Sequence, residues 1–332
     1  MTGSKVNWVR IAPMFTELLR ETCALWEPGW VSYNWRAYSC DHSLRVRNLA
    51  VHLARETGAD VAVCDCAGLL HDLTKLYDGD YLTDAQGKRL TNANGFWISA
   101  TRSPLAQNRV TKRYDEMQLA GQVHSRSGAV LARSLLDEAG CAAAFSERVA
   151  EAIAQHLGPS VDASIEAFCL YDADLIDANI GLPAFIRFLY INQHFYDMRR
   201  ADESEPTLDQ LLEREPGVFL RSFLGEATPR WMAGKRSDFI PQLRTAAARD
   251  LATHRQTRLE EIVTAMQSET LSAPGFAANG GSGLLLRLLA YGGEPEINRE
   301  LEELEGALAQ GNWRASARDL VQYANREVLG VF

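Results

Sequence analysis

The sequence predicts an all-α fold. Apolar residues recur at i, i+3, i+4 and i+7 through most of the chain, which is the stripe of a helix buried on one side. No strand-rich region and no internal repeat interrupts that pattern. Of the seven histidines, His42, His71, His124 and His156 continue or end the apolar faces of these helical segments.

The first 37 residues read as an N-terminal helical segment. From about Ser39 to Glu56, Val46, Leu49, Ala50 and Leu53 mark one face, and His42 extends it by a turn. Ser39 or Asp41 can cap the start. A second helix, Val61 to Lys75, is apolar on most sides until it delivers His71 and Asp72, which predicts a central position. The polar stretch 78–118 reads as a long insertion. Within it YLTDAQGKRLT suggests a hairpin turning at Gln86-Gly87. An insertion of this length is often a lid or a binding loop. A helix resumes near Leu119 with His124, Gly128, Leu131 and Leu135 facing inward, and Gly128 permits a close approach. The helix Glu147–Leu157 sets Val149, Ile153 and His156 in one stripe and stops at Gly158-Pro159. Ala163–Ala178 carries Asp172, Asp174 and Asp177, and a further apolar helix reaches Met198. A long amphipathic helix is expected over Asp238–Ser268. SAPGFAANGGSG, at 272–283, has linker composition, and helices at Glu296–Gln310 and Ala315–Val328 follow it.

The chain has 332 residues, 46% hydrophobic and 23% charged, in the range of globular proteins. A net charge of −9 speaks against broad nucleic-acid binding, though not against a local basic patch. No apolar run reaches membrane-spanning length, and the N-terminus lacks a secretory apolar core. Six cysteines show no disulfide framework, and Cys64-Asp65-Cys66 has no second pair to complete a zinc knuckle. A cytoplasmic protein is the expectation, and a homo-oligomer is compatible with it.

His42, His71, Asp72, His124 and His156, with an aspartate from the 163–178 helix, would place imidazoles and carboxylates at inward positions of several helices. One inward histidine is ordinarily a hydrogen-bonded core residue. Six such groups need a common partner, and a metal ion satisfies all of them. Adjacent His71 and Asp72 would diverge by about 100° on a helix and grip one ion from two sides. His124 and His156 could serve a second ion with Asp72 as a bridge, or meet a substrate phosphate directly. The donor set suits Mn, Fe, Co, Zn or Mg, as one or two ions.

In order and context, DHSLRVRNLA, AGLLHDLTK, QVHSRSGAVLA, IAQHL and YDADLIDANIG resemble the HD-domain superfamily of metal-dependent phosphohydrolases, over about Tyr38–Arg200. The resemblance implies an HD-domain helical bundle and assigns the last metal ligand to Asp174, where helical phase alone leaves Asp172 open. The stretch 238–268 resembles the terminal helix of an uncharacterised bacterial branch of that superfamily, so the domain is expected over 38–270. Residues 271–332 form a linker and a small C-terminal helical extension. The implied activity is hydrolysis of a phosphate ester or anhydride of a small molecule, a nucleotide among the candidates, by metal-activated water. Asp72, Lys75 and Arg45 are the catalytic candidates. Lys75 and Arg45 each lie one turn beyond a ligand, and together with Arg126 and Arg187 they are the candidates for holding phosphate. Arg187 resembles an arginine that follows the family's last aspartate. Arg102, Arg109, Lys112 and Arg113 concentrate positive charge in the insertion. Phe96, Trp97 and Tyr114 flank them, either to stack on a base or to anchor the segment. The six donors also resemble those of HD-fold di-iron oxygenases, with Glu27 and Tyr33 matching residues that cover an iron in some of them. A non-catalytic nucleotide-sensing protein is the third reading.

Overall fold

A computed structural model describes residues 7–331 except 94, 201, 203, 272–275 and 292. It divides into two compact units, the first ending at Asp174 and the second running from Leu175.

The first unit is helical with one small sheet. Asn7 caps α1 (Trp8–Cys23) by accepting from the Val9 amide. α2 (Arg36–Thr57) buries the predicted stripe Val46, Leu49, Ala50 and Leu53 without exposure and ends on Gly58 in the left-handed conformation. α3 (Val61–Leu70) is capped by Asp60, whose carboxylate accepts from the Ala62 and Val63 amides. It lies against α2 so closely that a Cβ on Gly68 would sit 2.7 Å from the Arg47 Cα. The predicted helix 61–75 ends early, at Leu70. Past Leu70 the chain tightens into turns, Leu73 N–H bonding Leu70 O and Lys75 N–H bonding Asp72 O, and a 3₁₀ turn at Lys75–Tyr77 leads out.

The insertion begins with β1 (Asp78–Tyr81), which pairs antiparallel with β2 (Ser99–Thr101). Between them is the expected hairpin. Asp84 accepts from Gly87 and Lys88 around a left-handed Gly87. α4 (Arg109–Glu116) opens with a capping box from Asn108 and Thr111. α5 (His124–Glu138) starts five residues later than expected and turns His124, Gly128, Leu131 and Leu135 inward, all buried. Gly128 gives the close approach read from the sequence: a Cβ there would lie 3.2 Å from the His71 carbonyl. α6 (Ala143–Gln155) follows, and α7 (Ile165–Asn179) carries Asp174 at the unit's end.

In the second unit α8 (Leu182–Tyr196) is joined by α9 (Leu208–Arg214), α10 (Pro216–Ser222) and α11 (Thr228–Gly234), short helices not expected from the sequence. The long α12 (Ala246–Leu271) starts eight residues later than expected, because short π and 3₁₀ turns occupy 235–242. The expected linker at 272–283 lies partly outside the described residues, and its end belongs instead to α13 (Gly281–Tyr291). Its glycines serve contact there, since a Cβ on Gly281 would meet the Met266 side chain at 2.7 Å. α14 (Ile297–Ala309) and α15 (Ala315–Leu329) match the last two expected helices. Tyr190 of α8 donates to Leu288 O and shares a hydrogen bond with Glu300, while the Leu182 amide donates to Glu327. These buried polar contacts pin the C-terminal helices to α8. No helix among the described residues is long and apolar enough to cross a membrane.

Candidate metal centre

Helix ends build the site. His42 lies in the second turn of α2, His71 caps the C-terminus of α3, and Asp72 sits in the turn that follows. His124 is the first residue of α5 and His156 the C-cap of α6. A side chain at a terminus reaches inward past the last turn, so the ends of α3, α5 and α6 meet His42 and Asp174, which project from within α2 and α7.

Two of the rings are oriented by backbone. His71 Nδ1 meets Gly68 O at 2.9 Å and His156 Nδ1 meets Ile153 O at 2.8 Å. A carbonyl only accepts, so each Nδ1 carries the proton and each Nε2 presents a lone pair. Both Nε2 atoms are buried without a hydrogen-bond partner. His124 Nδ1 donates instead to Asp78 Oδ2 at 2.7 Å. Thr74 holds α5 in place by donating to His124 O and bonding Ser127.

Asp72 occupies the middle. Its Oδ2 faces His71 Nε2 at 3.5 Å and His42 Nε2 at 3.8 Å. Its Oδ1 faces His124 and His156 Nε2, each at 3.6 Å. Asp174 Oδ1 lies 3.0 Å from His42 Nε2 and 3.9 Å from His71 Nε2. Donors about 2.1 Å from one ion at octahedral to tetrahedral angles stand about 3.0–3.4 Å apart, close to these separations. Two donor groups, His42/His71/Asp174 and His71/Asp72/His156, overlap at His71, and the orphaned Nε2 lone pairs of His71 and His156 fit a cation there. Of the α7 aspartates, Asp174 is the one whose carboxylate faces these imidazoles. Two residues apart on α7, Asp172 and Asp174 point to opposite sides.

The protonation states agree with that fit. Burial holds His71 down to about 4, and burial with the nearby Lys75 charge also lowers His124. For His156, burial is outweighed by Asp72 and Asp174, which raise it. Burial opposes ionisation of Asp72, yet His71, His156, His124 and Lys75 hold its carboxyl well below the usual range. Asp174 is lowered against burial by His42, His71 and His156. An anionic pair beside two imidazoles favoured neutral, His71 and His124, suits a divalent cation.

The HD-domain family matches residues 40–179, a span that contains all six donors. This chain contains an HD domain. The chain is similar in structure to a predicted HD superfamily hydrolase from an uncultured Thermotogales bacterium. That match has 19% identity and a TM-score of 0.43, and covers 78% of this chain and 92% of the other. Bacillus subtilis YpgQ, in its complex with ADP, matches at 17% identity and a TM-score of 0.39, covering 81% of this chain and 98% of YpgQ. No curated protein matches the chain.

The basic candidates separate. Lys75 stands at the HD domain's donor cluster, its Nζ 3.5 Å from His124 Nδ1 and 3.6 Å from Asp78. Burial lowers it, but Asp78 and Asp72 raise it further, so it stays cationic. Arg45 is fully buried, with its guanidinium 5.2 Å from the Tyr38 ring. Tyr38 in turn stacks on His42, so Arg45 sits behind a donor rather than open to solvent. Arg126 is exposed on α5, and Arg187 belongs to the second unit, where it donates to Ala178 O. Glu27 is exposed, and Tyr33 lies against Arg89 and Trp30. Sequence reasoning missed Asp78 because it opens the segment read as an insertion. Its signal was a carboxylate one turn beyond Lys75, within reach of whatever His71-Asp72 holds.

Proposed function

We propose that the HD domain is a metal-dependent phosphohydrolase of a small phosphorylated molecule, with His42, His71, Asp72, Asp174, His124 and His156 as ligands of one or two divalent ions. The observation that carries this reading is the division of Asp72, one oxygen toward His42 and His71 and the other toward His124 and His156. A bound divalent cation supplies Lewis acidity and an acidified water to phosphoryl transfer.

The chain's own groups do the rest. Asp72 and Asp174 balance the cation charge in a buried setting where unpaired charge is costly. The backbone carbonyls behind His71 and His156 fix which nitrogen faces the cation. Lys75 brings a fixed positive charge beside His124, placed to neutralise a phosphate oxygen. Asp78 bonds both His124 and Lys75, so it sets the direction of a donor and of the phosphate-binding ammonium together. Arg45 supports Tyr38 and through it the His42 ring.

Elemental analysis of the purified protein, with hydrolysis of a panel of nucleotides and phosphate esters in Mn, Fe, Co, Zn and Mg, tests the reading. Metal content near one or two ions per chain with phosphate release supports it. A wild-type rate in Asp72→Ala would sink the site assignment. Oxygen uptake by iron-loaded protein without phosphate release would favour the di-iron oxygenase, which takes the same donors.

A further inference from the structure

Beside the donor cluster lies a cavity of about 410 Å³ whose lining combines two kinds of side chain. Lys75, Asp78 and His124 give it charged and polar groups. Tyr77, Tyr81, Phe96, Trp97 and Tyr114 give it aromatic wall. Tyr77 and Tyr114 are buried and stacked 3.6 Å apart, which gives that wall a rigid part. Trp97 differs, remaining 52% exposed. Its position is nonetheless set, because Arg89 stacks over its ring at 4.4 Å and over Tyr81 at 4.6 Å, with Tyr81 edge-on to Trp97 at 5.0 Å. Paired backbone holds the segment as well, since Trp97 bridges Thr91 and the Ile98 amide bonds Leu90 O.

Anchoring the insertion accounts for Tyr77 and Tyr114, which are buried for that purpose. It does not account for an indole held in position and left half in water. We propose that the insertion builds a subsite for a planar aromatic group attached to the phosphate, and that Trp97 is its stacking platform and a determinant of substrate selectivity. The subsite rests on the phosphohydrolase reading for the orientation of the ligand, with phosphate toward Lys75 and the ring toward Trp97. A cavity of this volume takes a single ring system with its sugar or linker, not a polymer. Aromatic stacking tolerates any flat π-face, so nucleobases and simple arenes share the required chemistry.

The test measures equilibrium binding and hydrolysis with the metal-loaded full chain. The probes are adenosine 5′-monophosphate, phenyl phosphate and ribose 5-phosphate; the proteins are wild type, Trp97→Ala and Trp97→Phe. Trp97→Ala should weaken adenosine 5′-monophosphate by at least about fivefold, the lower bound for one base on one ring. Ribose 5-phosphate should be unchanged, and Trp97→Phe should recover most of the loss. A parallel loss for phenyl phosphate assigns the subsite to any arene; a loss confined to the nucleotide assigns it to nucleobases. An equal loss for ribose 5-phosphate, no loss for either aromatic ligand, or no wild-type binding of either overturns the inference. Selective binding without hydrolysis of any probe would keep the subsite and reject the phosphohydrolase.

Discussion

Asp72→Ala tests the shared carboxylate most directly. Each Asp72 oxygen faces two imidazole nitrogens at 3.5–3.8 Å, so one truncation removes a donor from both groups at once. Loss of a residue that merely orients a ligand lowers metal affinity about 10- to 100-fold, so losing an anionic ligand should cost each ion at least ~100-fold. With free metal at a hundred times the wild-type dissociation constant, one site stabilises the native wild type by about 2.7 kcal/mol. At the same concentration the variant would gain only about 0.4 kcal/mol. In a chain this long the difference is several degrees of melting temperature against about one. The assay is thermal melting with and without chelator, paired with elemental analysis after gel filtration. All bound metal, one ion or two, should be lost. A variant that kept the wild-type metal content and metal-dependent melting shift would refute the central position given to Asp72, whatever its activity.

Lys75→Ala should retain metal and lower turnover at least tenfold on any phosphate substrate found, as steady-state kinetics beside metal analysis will read. Asp78→Asn should weaken the His124/His156 ion about 10- to 100-fold and spare the other, a split visible in metal titration. Gly68→Ala forces a methyl against the Arg47 backbone, so it should cost about 1–3 kcal/mol in chemical denaturation and displace His71 with measurable loss of metal. In the metal-free protein, His71 is held at about 4 by burial while the unfolded chain titrates near 6.5. The unfolded state therefore takes up the proton first, and stability should fall as pH drops from about 6.5 to 4, by about 3 kcal/mol from His71, with the lowered His124 adding in the same direction. His156, raised, works the other way and in another window: its contribution is present below about 6.5 and is lost as pH rises through its folded value. Chelated protein as stable at pH 4.5 as at pH 7 would contradict the His71 environment.

Periodicity read the helices that bury one face. The stripes of α2, α5 and α6 are buried as their spacing requires, and the hairpin at Gln86-Gly87 was legible from turn chemistry. Periodicity misread α3, because the apolar pattern runs on through Leu73 and Leu76 while the backbone has already left the helix. Both leucines are buried from turns, so burial alone did not imply helix. At 281–283 composition misled in the other direction. Glycine beside glycine signals a flexible linker, but here the missing side chains make room for Met266 and for the carbonyl of Ala278. The short helices α9–α11 carry too few turns for a period to register.

The donors were legible for a different reason: each is a polar residue whose cost in an apolar segment demands an explanation. What orients them was not, because it is backbone carbonyl and a distant carboxylate rather than a motif. Asp78 shows how the division by composition went through the site. It is the first residue of β1, and its carboxylate fixes His124 at 2.7 Å. Tyr81, the last residue of the same strand, lines the cavity beside the donor cluster. One four-residue strand therefore connects the orientation of a proposed ligand to the wall that would meet the substrate. A shift of β1 on binding would turn the His124 ring with it, so the insertion and the donor cluster should respond to substitution together: shortening the 82–98 hairpin ought to weaken the His124/His156 ion as well as substrate binding, while leaving the His42/His71/Asp174 donors in place.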